Sequence, residues 1–414
     1  MGNWERGKRE MRERKEYLKN FGEKCRKELL ENVMPFWMKH GWDREHGGVY
    51  TCLDRDGTLM DSTKSVWFQG RFAYVLSYAY NNIEKNPEWL KAAKSTIDFF
   101  ERTCFDARGC MYFEVMADGA PLRMRRYVFS ECFAAIALAE YSLASGDRSC
   151  AGRALDLFRR IRSFMNDPEM MPAKYEPAMA MQSHSLTMIL IDVANVLKRV
   201  SDDPVLDGQI SESISNLMRY FVHPEFKCVL ETVGPNGEFI DTIAGRTINP
   251  GHAIETSWFL MDVAKARCDG KLMEQALQIL DWSWDWGWDV ECGDGGIISF
   301  RDCRNFPPQC YEQDMKFWWP QCEAIIANLE AYQITGDERY FERFKLVSEW
   351  AWSHLKDPEH PEWFGYLHRD GSVAQPAKGN IFKGPYHIPR MLVKCSQLVG
   401  LQTCACSAAR TPVE

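Results

Sequence analysis

The chain has 414 residues, of which 45% are hydrophobic and 26% charged, with a formal net charge of −8. That apolar supply suffices for a large core, and a net negative chain without a long basic run excludes a nucleic-acid surface. No apolar stretch approaches the eighteen or so residues of a membrane span, and the charged N-terminus lacks the apolar run of a secretory leader.

The 15 cysteines are odd in number, scattered, and contain no Cys-x-x-Cys pair. A structural zinc and a disulfide framework are therefore not expected, and the composition fits a reducing cytoplasm.

Hydrophobic periodicity predicts helical segments at roughly 5–39, 63–82, 88–103, 129–145, 148–165, 179–199, 205–221, 250–268, 271–286, 318–335, 338–355 and 387–400. The links leaving the second, fourth, sixth, eighth and tenth segments are brief, such as Gly146-Asp147, Asp269-Gly270 and Gly336-Asp337. Short links make neighbouring helices antiparallel, so every long loop falls at one end. Those long loops resemble one another. Gly47-Gly48-Val49-Tyr50 with Asp56-Gly57, Met111-Tyr112-Phe113 with Asp118-Gly119, and Cys228-Val229-Leu230-Glu231 with Asn236-Gly237 each read as a strand and a hairpin turn. Gly296-Ile297-Ile298 and Phe364-Gly365-Tyr366-Leu367 with Asp370-Gly371 repeat the pattern at intervals of about 60–70 residues, and one turn of the cycle, around 166–177, lacks its hairpin. Six helical pairs in a single domain over 1–400, followed by a tail over 401–414, predict an all-α (α/α)6 toroid. Its hairpin-bearing loops and the starts of its even-numbered helices share one face.

Three segments put reactive side chains at those helix starts: Asn249-Pro250-Gly251-His252-Ala253-Ile254-Glu255, Trp318-Trp319-Pro320-Gln321-Cys322-Glu323 and Gly384-Pro385-Tyr386-His387-Ile388-Pro389-Arg390. Proline suits the first helical position, so Pro250, Pro320 and Pro389 each mark a helix start. Parallel even helices would then converge on a site with two histidines, two glutamates and an arginine. His252 sits on a first turn capped by Asn249, where the helix dipole favours a neutral imidazole able to accept a proton. Glu255 shares its face, three residues on. His387 is held rigidly between two prolines, and Arg390 is a permanently charged donor for an anionic intermediate. Arg71, early in an even helix, faces the same end, and Trp318 and Trp319 are candidate platforms for a sugar ring. No metal-ligand motif, phosphate loop or nucleophile elbow is present.

These motifs, together with Val66-Trp67-x-Gln69-Gly70-Arg71 and Phe129-Ser130-Glu131-Cys132-Phe133, resemble the N-acylglucosamine 2-epimerase (renin-binding protein) family over about residues 20–395. The resemblance implies a cytoplasmic isomerase that interconverts N-acetylglucosamine and N-acetylmannosamine by removing the C2 proton and returning it to the other face. His252 and His387 inherit the catalytic roles, and Arg71, Glu255, Trp318, Glu323 and Arg390 those of substrate binding. It implies a homodimer acting on a small sugar, with no required cofactor or metal, and ATP as an unconsumed activator. His184 departs from the pattern. Related disaccharide epimerases and mannose isomerases carry a histidine in that helix, so it joins the candidate substrate contacts, whereas Ala253 and Asn249-Pro250 match the N-acyl branch. The alternatives are an aldose–ketose isomerase or disaccharide 2-epimerase on the same scaffold, a glycoside hydrolase using two carboxylates, or a non-catalytic binding protein.

Overall fold

The computed structural model describes residues 2–124, 127–167, 169–171, 179–293 and 295–408. Its long helices are α1 (Gly2–Glu28), α2 (Val66–Asn82), α3 (Pro87–Thr103), α4 (Phe129–Ser145), α5 (Arg148–Met165) and α6 (His184–Leu197). They continue with α7 (Pro204–Asn216), α8 (Pro250–Arg267), α9 (Gly270–Gly287), α10 (Trp318–Thr335), α11 (Glu338–His354) and α12 (His387–Ala408). Helix α1 extends through the π-helical turns Leu29–Val33 and Trp37–Gly41.

The even helices form a closed inner ring. Helix α2 packs on α4, α4 on α6, α6 on α8, α8 on α10, α10 on α12, and α12 back on α2. Each odd helix backs one inner helix: α3 on α2, α5 on α4, α7 on α6, α9 on α8, α11 on α10 and α1 on α12. The two layers differ for a simple reason. Inner helices such as α4 and α10 bury almost every residue of their first three turns, whereas α3 and α5 bury one stripe and expose the other face to water. The result is the (α/α)6 toroid.

Chain reversal at the far end is set by capping. Asn86, Asp147, Asp203, Asp269 and Asp337 each cap an outer helix by accepting a backbone N–H with the side chain. Gly146 and Gly336 take the left-handed conformation that ends α4 and α10, at φ 79° and 69°. At the equivalent end of α8 the same conformation falls on Cys268, at φ 51°, where a side chain is disfavoured.

The near end is stitched by short strands. Strand β1 (Lys64–Ser65), immediately before α2, pairs antiparallel with β2 (Glu114–Val115), which pairs with β3 (Pro121–Arg123). Strand β4 (Gln182–Ser183) precedes α6; β5 (Val222–His223) and β6 (Cys228–Val229) form a hairpin, and β7 (Thr232–Val233) pairs back to β4. Strand β8 (Thr247–Ile248) precedes α8 and pairs with β9 (Arg301–Asp302); β10 (Lys316–Phe317) precedes α10 and pairs with β11 (Tyr366–Leu367), which is joined by β12 (Val373–Gln375). Four inner-helix starts are thus each pinned to the hairpin of the following unit. The segment around 166–177, read as lacking a hairpin, lies largely outside the described residues. The backbone of α12 runs to Ala408, into the stretch read as a tail, and 409–414 are outside the described residues. Among the described residues no helix is long and apolar enough to cross a membrane.

The repeat extends to single side chains. Gln69 accepts the Val49 N–H at 2.8 Å and donates to the carbonyls of Val49 and Ser65. Gln321 does the same with Ile297 and Phe317. In the third copy the residue is Glu131, whose Oε1 accepts the Met111 N–H at 2.7 Å while its buried Oε2 has no partner among the described residues. Burial pushes this carboxyl up to about 7. Because the folded state holds the proton more tightly than the unfolded chain, stability from this group is complete below the ordinary glutamate range. It is lost as pH rises to about 7. Glu131→Gln supplies the missing N–H donor, so it should stabilise the protein at pH 8 by roughly 2–3 kcal/mol and little at pH 4. Denaturant titrations of both proteins at the two pH values check this.

Candidate active site

His252 is the third residue of α8, where Asn249 caps the helix by accepting the His252 N–H at 3.1 Å. Pro250 occupies the first helical position as expected. Pro320 and Pro389 instead stand third in α10 and α12, because those helices begin at Trp318 and His387. The first turn carries the unneeded N–H groups, so a proline is tolerated there as well.

His387 is therefore a helix-start residue like His252, and the two imidazoles meet across one ring. Trp319 lies 5.1 Å from the His252 ring centre and 5.8 Å from that of His387. The two histidines are thus no farther apart than the sum of those distances, a span a single sugar can occupy. The side chain of His252 is 27% exposed and that of His387 9%, so access is from the loop face.

Each imidazole has its Nδ1 tied to a carboxylate. His387 Nδ1 lies 2.7 Å from Glu323 Oε1, and Glu323 Oε2 accepts the Trp258 indole N–H at 2.9 Å. His252 Nδ1 lies 3.1 and 3.0 Å from the two oxygens of Glu231. A carboxylate on Nδ1 fixes the Nδ1–H tautomer and leaves Nε2 free to exchange a proton.

The two carboxylates differ in what else they hold. Arg390 donates through Nη2 to Glu323 at 2.7 Å and to Glu255, and through Nη1 to the Tyr386 hydroxyl at 3.1 Å. Glu323 is thus already neutralised, and burial, Arg390, Arg71 and His252 hold His387 well below the ordinary histidine range against the pull of Glu255. Around His252 burial pushes in the same direction, but the charge and hydrogen bond of Glu231, with a smaller pull from Glu255, outweigh it and raise its proton affinity. That direction is opposite to the one the helix dipole alone predicts. The helix dipole acts as a partial charge, while Glu231 is a full charge in direct contact.

Arg71, on the second turn of α2, lies 4.0 Å from the Phe133 ring and 4.6 Å from that of Tyr386. Its buried Nε has no acceptor, and burial lowers the guanidinium to about 10, leaving it charged at neutral pH. Trp318 is buried and packs edge-on against Tyr366 and His387, whereas its neighbour Trp319 has ring contacts with both imidazoles. His184 is fully buried, with Nδ1 3.4 Å from Glu231 Oε1 and its ring centre 6.4 Å from that of His252. Glu255, Glu323 and His387 offer atoms within 4.8 Å of one another, a spacing that suits a metal ion. The Arg390 guanidinium occupies that cluster, and a cation there would have to displace it. The sequence reading missed Glu231, Trp258 and Tyr386. Glu231 carried a signal, since it is a charged residue closing an otherwise apolar strand.

The model of the N-acylglucosamine 2-epimerase family matches residues 24–389. The chain belongs to this family. The N-acylglucosamine 2-epimerase of Bos taurus is 35% identical over 94% of this chain and 93% of its own length, and that of Homo sapiens is 32% identical over 95% and 93%. The cellobiose 2-epimerase structure from Bacillus thermoamylovorans superimposes with a TM-score of 0.81 at 21% identity, covering 92% of this chain and 99% of that one. A D-mannose isomerase structure gives 0.76 at 15% identity over 92% and 98%. At that identity the two structures establish the shared toroid.

Proposed function

We propose that this protein is an N-acylglucosamine 2-epimerase, acting on the open-chain form of an N-acyl hexosamine with His252 and His387 as the two acid–base groups. The observation that carries the reading is the pair of imidazoles sharing Trp319 as a ring neighbour, each with Nδ1 on a carboxylate, which leaves Nε2 to exchange a proton. In one direction the C2–H bond breaks toward one Nε2, and the electron pair moves onto the C1 carbonyl oxygen. The other imidazolium then delivers its proton to the opposite face of C2. Arg71 and Arg390 supply fixed positive charge for the oxyanion, inside a site where such charge acts strongly. Histidine suits both roles because its charge change lies close to neutral pH and its surroundings can move it either way.

The competing neutral-sugar isomerase would return the proton to C1, which an N-acyl hexosamine cannot follow because its C2 carries nitrogen and no hydroxyl to become a ketone. Identity of 35% to the bovine N-acyl sugar enzyme favours the epimerase. A hydrolase would need two carboxylates free to face a glycosidic bond, and Glu255 and Glu323 are both bound by Arg390. The reading extends to a single toroidal domain over 1–400 and a cytoplasmic homodimer with ATP as an unconsumed activator. Incubation with N-acetylmannosamine in heavy water should give N-acetylglucosamine carrying one deuterium at C2. A ketose product, or product with only hydrogen at C2, would sink the proposal.

A further inference from the structure

His184 and Glu231 lie on the Nδ1 side of His252. Thr256, one helical turn after His252, donates its hydroxyl proton to the His252 carbonyl at 2.8 Å. That hydroxyl is shared with His184 Nε2 at 3.1 Å, which accepts from it when the single ring N–H, on Nδ1, faces Glu231. The other nitrogen of His184 lies 3.4 Å from Glu231 Oε1, and the His184 backbone N–H donates to the Glu231 carbonyl at 3.1 Å. Strand pairing Ser183↔Thr232 fixes the same register, so helix α6 and the hairpin hold Glu231 at backbone and side chain alike. Both ring nitrogens of His184 are engaged and none of its surface is open.

We propose that Glu231 and His184 are positioning residues for His252: Glu231 fixes its tautomer and orientation, and His184 fixes Glu231. The histidine of α6 therefore does not select the sugar. This rests on the epimerase reading only for the identity of the reaction followed. The groups around His252 are Glu231 from the hairpin, His184 from α6, Glu255 from its own helix, and His387 with Arg390 from α12. Of these, only Glu231 touches its Nδ1.

The two residues should act on His252 with opposite sign. Glu231→Gln removes the negative charge, so the limb of the pH–rate profile that belongs to His252 should move to lower pH, whether His252 gives or takes the C2 proton. The value of kcat should fall roughly 10²–10⁴-fold with KM nearly unchanged. His184→Phe leaves Glu231 without its second donor, so the same limb should move to higher pH, with a loss of about tenfold in kcat. His184→Asn, whose amide can still reach Glu231, should recover most of that loss. The ratio of kcat/KM for N-acetylmannosamine over mannose should stay at its wild-type value in both His184 variants.

The wild-type protein is first tested for deuterium uptake at C2 with N-acetylmannosamine, mannose and a mannose-containing disaccharide. If only a neutral sugar responds, the N-acyl reading fails and the variants are followed on that sugar. The positioning role is overturned if either His184 variant raises KM or alters sugar preference while the limb stays fixed. It is equally overturned if Glu231→Gln, which is isosteric and leaves the fold intact, changes neither kcat nor the limb.

Discussion

Replacing His387 with Asn should lower the epimerisation of N-acetylmannosamine by about 10⁴-fold or more, yet leave one of the two epimers exchanging its C2 proton with solvent. The reason is geometric. In the two-base reading each imidazole reaches C2 from one face only, and both rings lie beside Trp319. A protein with a single base can remove the proton from the epimer that presents it, and can return it only where it came from. His252→Asn should therefore show the complementary behaviour, washing deuterium into the other epimer. Asparagine suits the test because its amide N–H can replace the Nδ1–H toward Glu323 or Glu231, so the carboxylates keep a partner. NMR at C2 of each purified epimer in heavy water reads the result. If both variants exchanged the same epimer, or neither exchanged any, the two-face assignment would be wrong. The unequal proton affinities add an order. His387, held low, is the readier base of the two, and His252, with its proton affinity raised, is the readier acid.

How much of this was legible beforehand depended on whether the cause was local. The ring of helical pairs was, because loop lengths and the asparagine or aspartate caps at Asn86, Asp147 and Asp203 are properties of adjacent residues. His252, Glu255, His387 and Arg390 were legible for the same reason, since spacing along one helix decides which side chains share a face. The strength of His252 as a base was not. The helix terminus contributes about 0.3–1 kcal/mol, whereas a full charge about 4 Å away contributes about 4 kcal/mol even in a partly wet environment. The charge belongs to Glu231, twenty-one positions earlier, and reaches His252 only because the hairpin after α7 folds back onto the start of α8. The surroundings of His184 were hidden in the same way. A histidine at a helix start on the loop face gives no sign of its burial until the pairing Ser183↔Thr232 brings Glu231 against it.

Arg390→Met should cost both stability and activity, and the pH response separates the two. The guanidinium is buried and is the shared donor to Glu255 and Glu323. Removing it leaves two carboxylates confined together without a cation, a loss of about 3–5 kcal/mol in unfolding free energy for a broken buried ion pair. Part of that strain is relieved when one of them takes up a proton, so the variant should lose less stability at pH 5 than at pH 8. Glu255→Gln in the same chain should recover part of the loss, because only one charge is then orphaned. The catalytic effect has its own sign. Arg390 is, after burial, the main cause of the low proton affinity of His387. Without it, Glu323 and Glu255 both pull a proton onto that imidazole, so His387 becomes a base only at higher pH. The acid limb of the rate profile should therefore move to higher pH, with kcat at neutrality down roughly 10²–10³-fold. Arg390→Lys keeps the charge but cannot reach Glu255, Glu323 and Tyr386 with one planar group, so it should restore the position of the limb before it restores kcat. A limb that stays in place in Arg390→Met would mean that Arg390 binds the sugar without setting the charge state of His387.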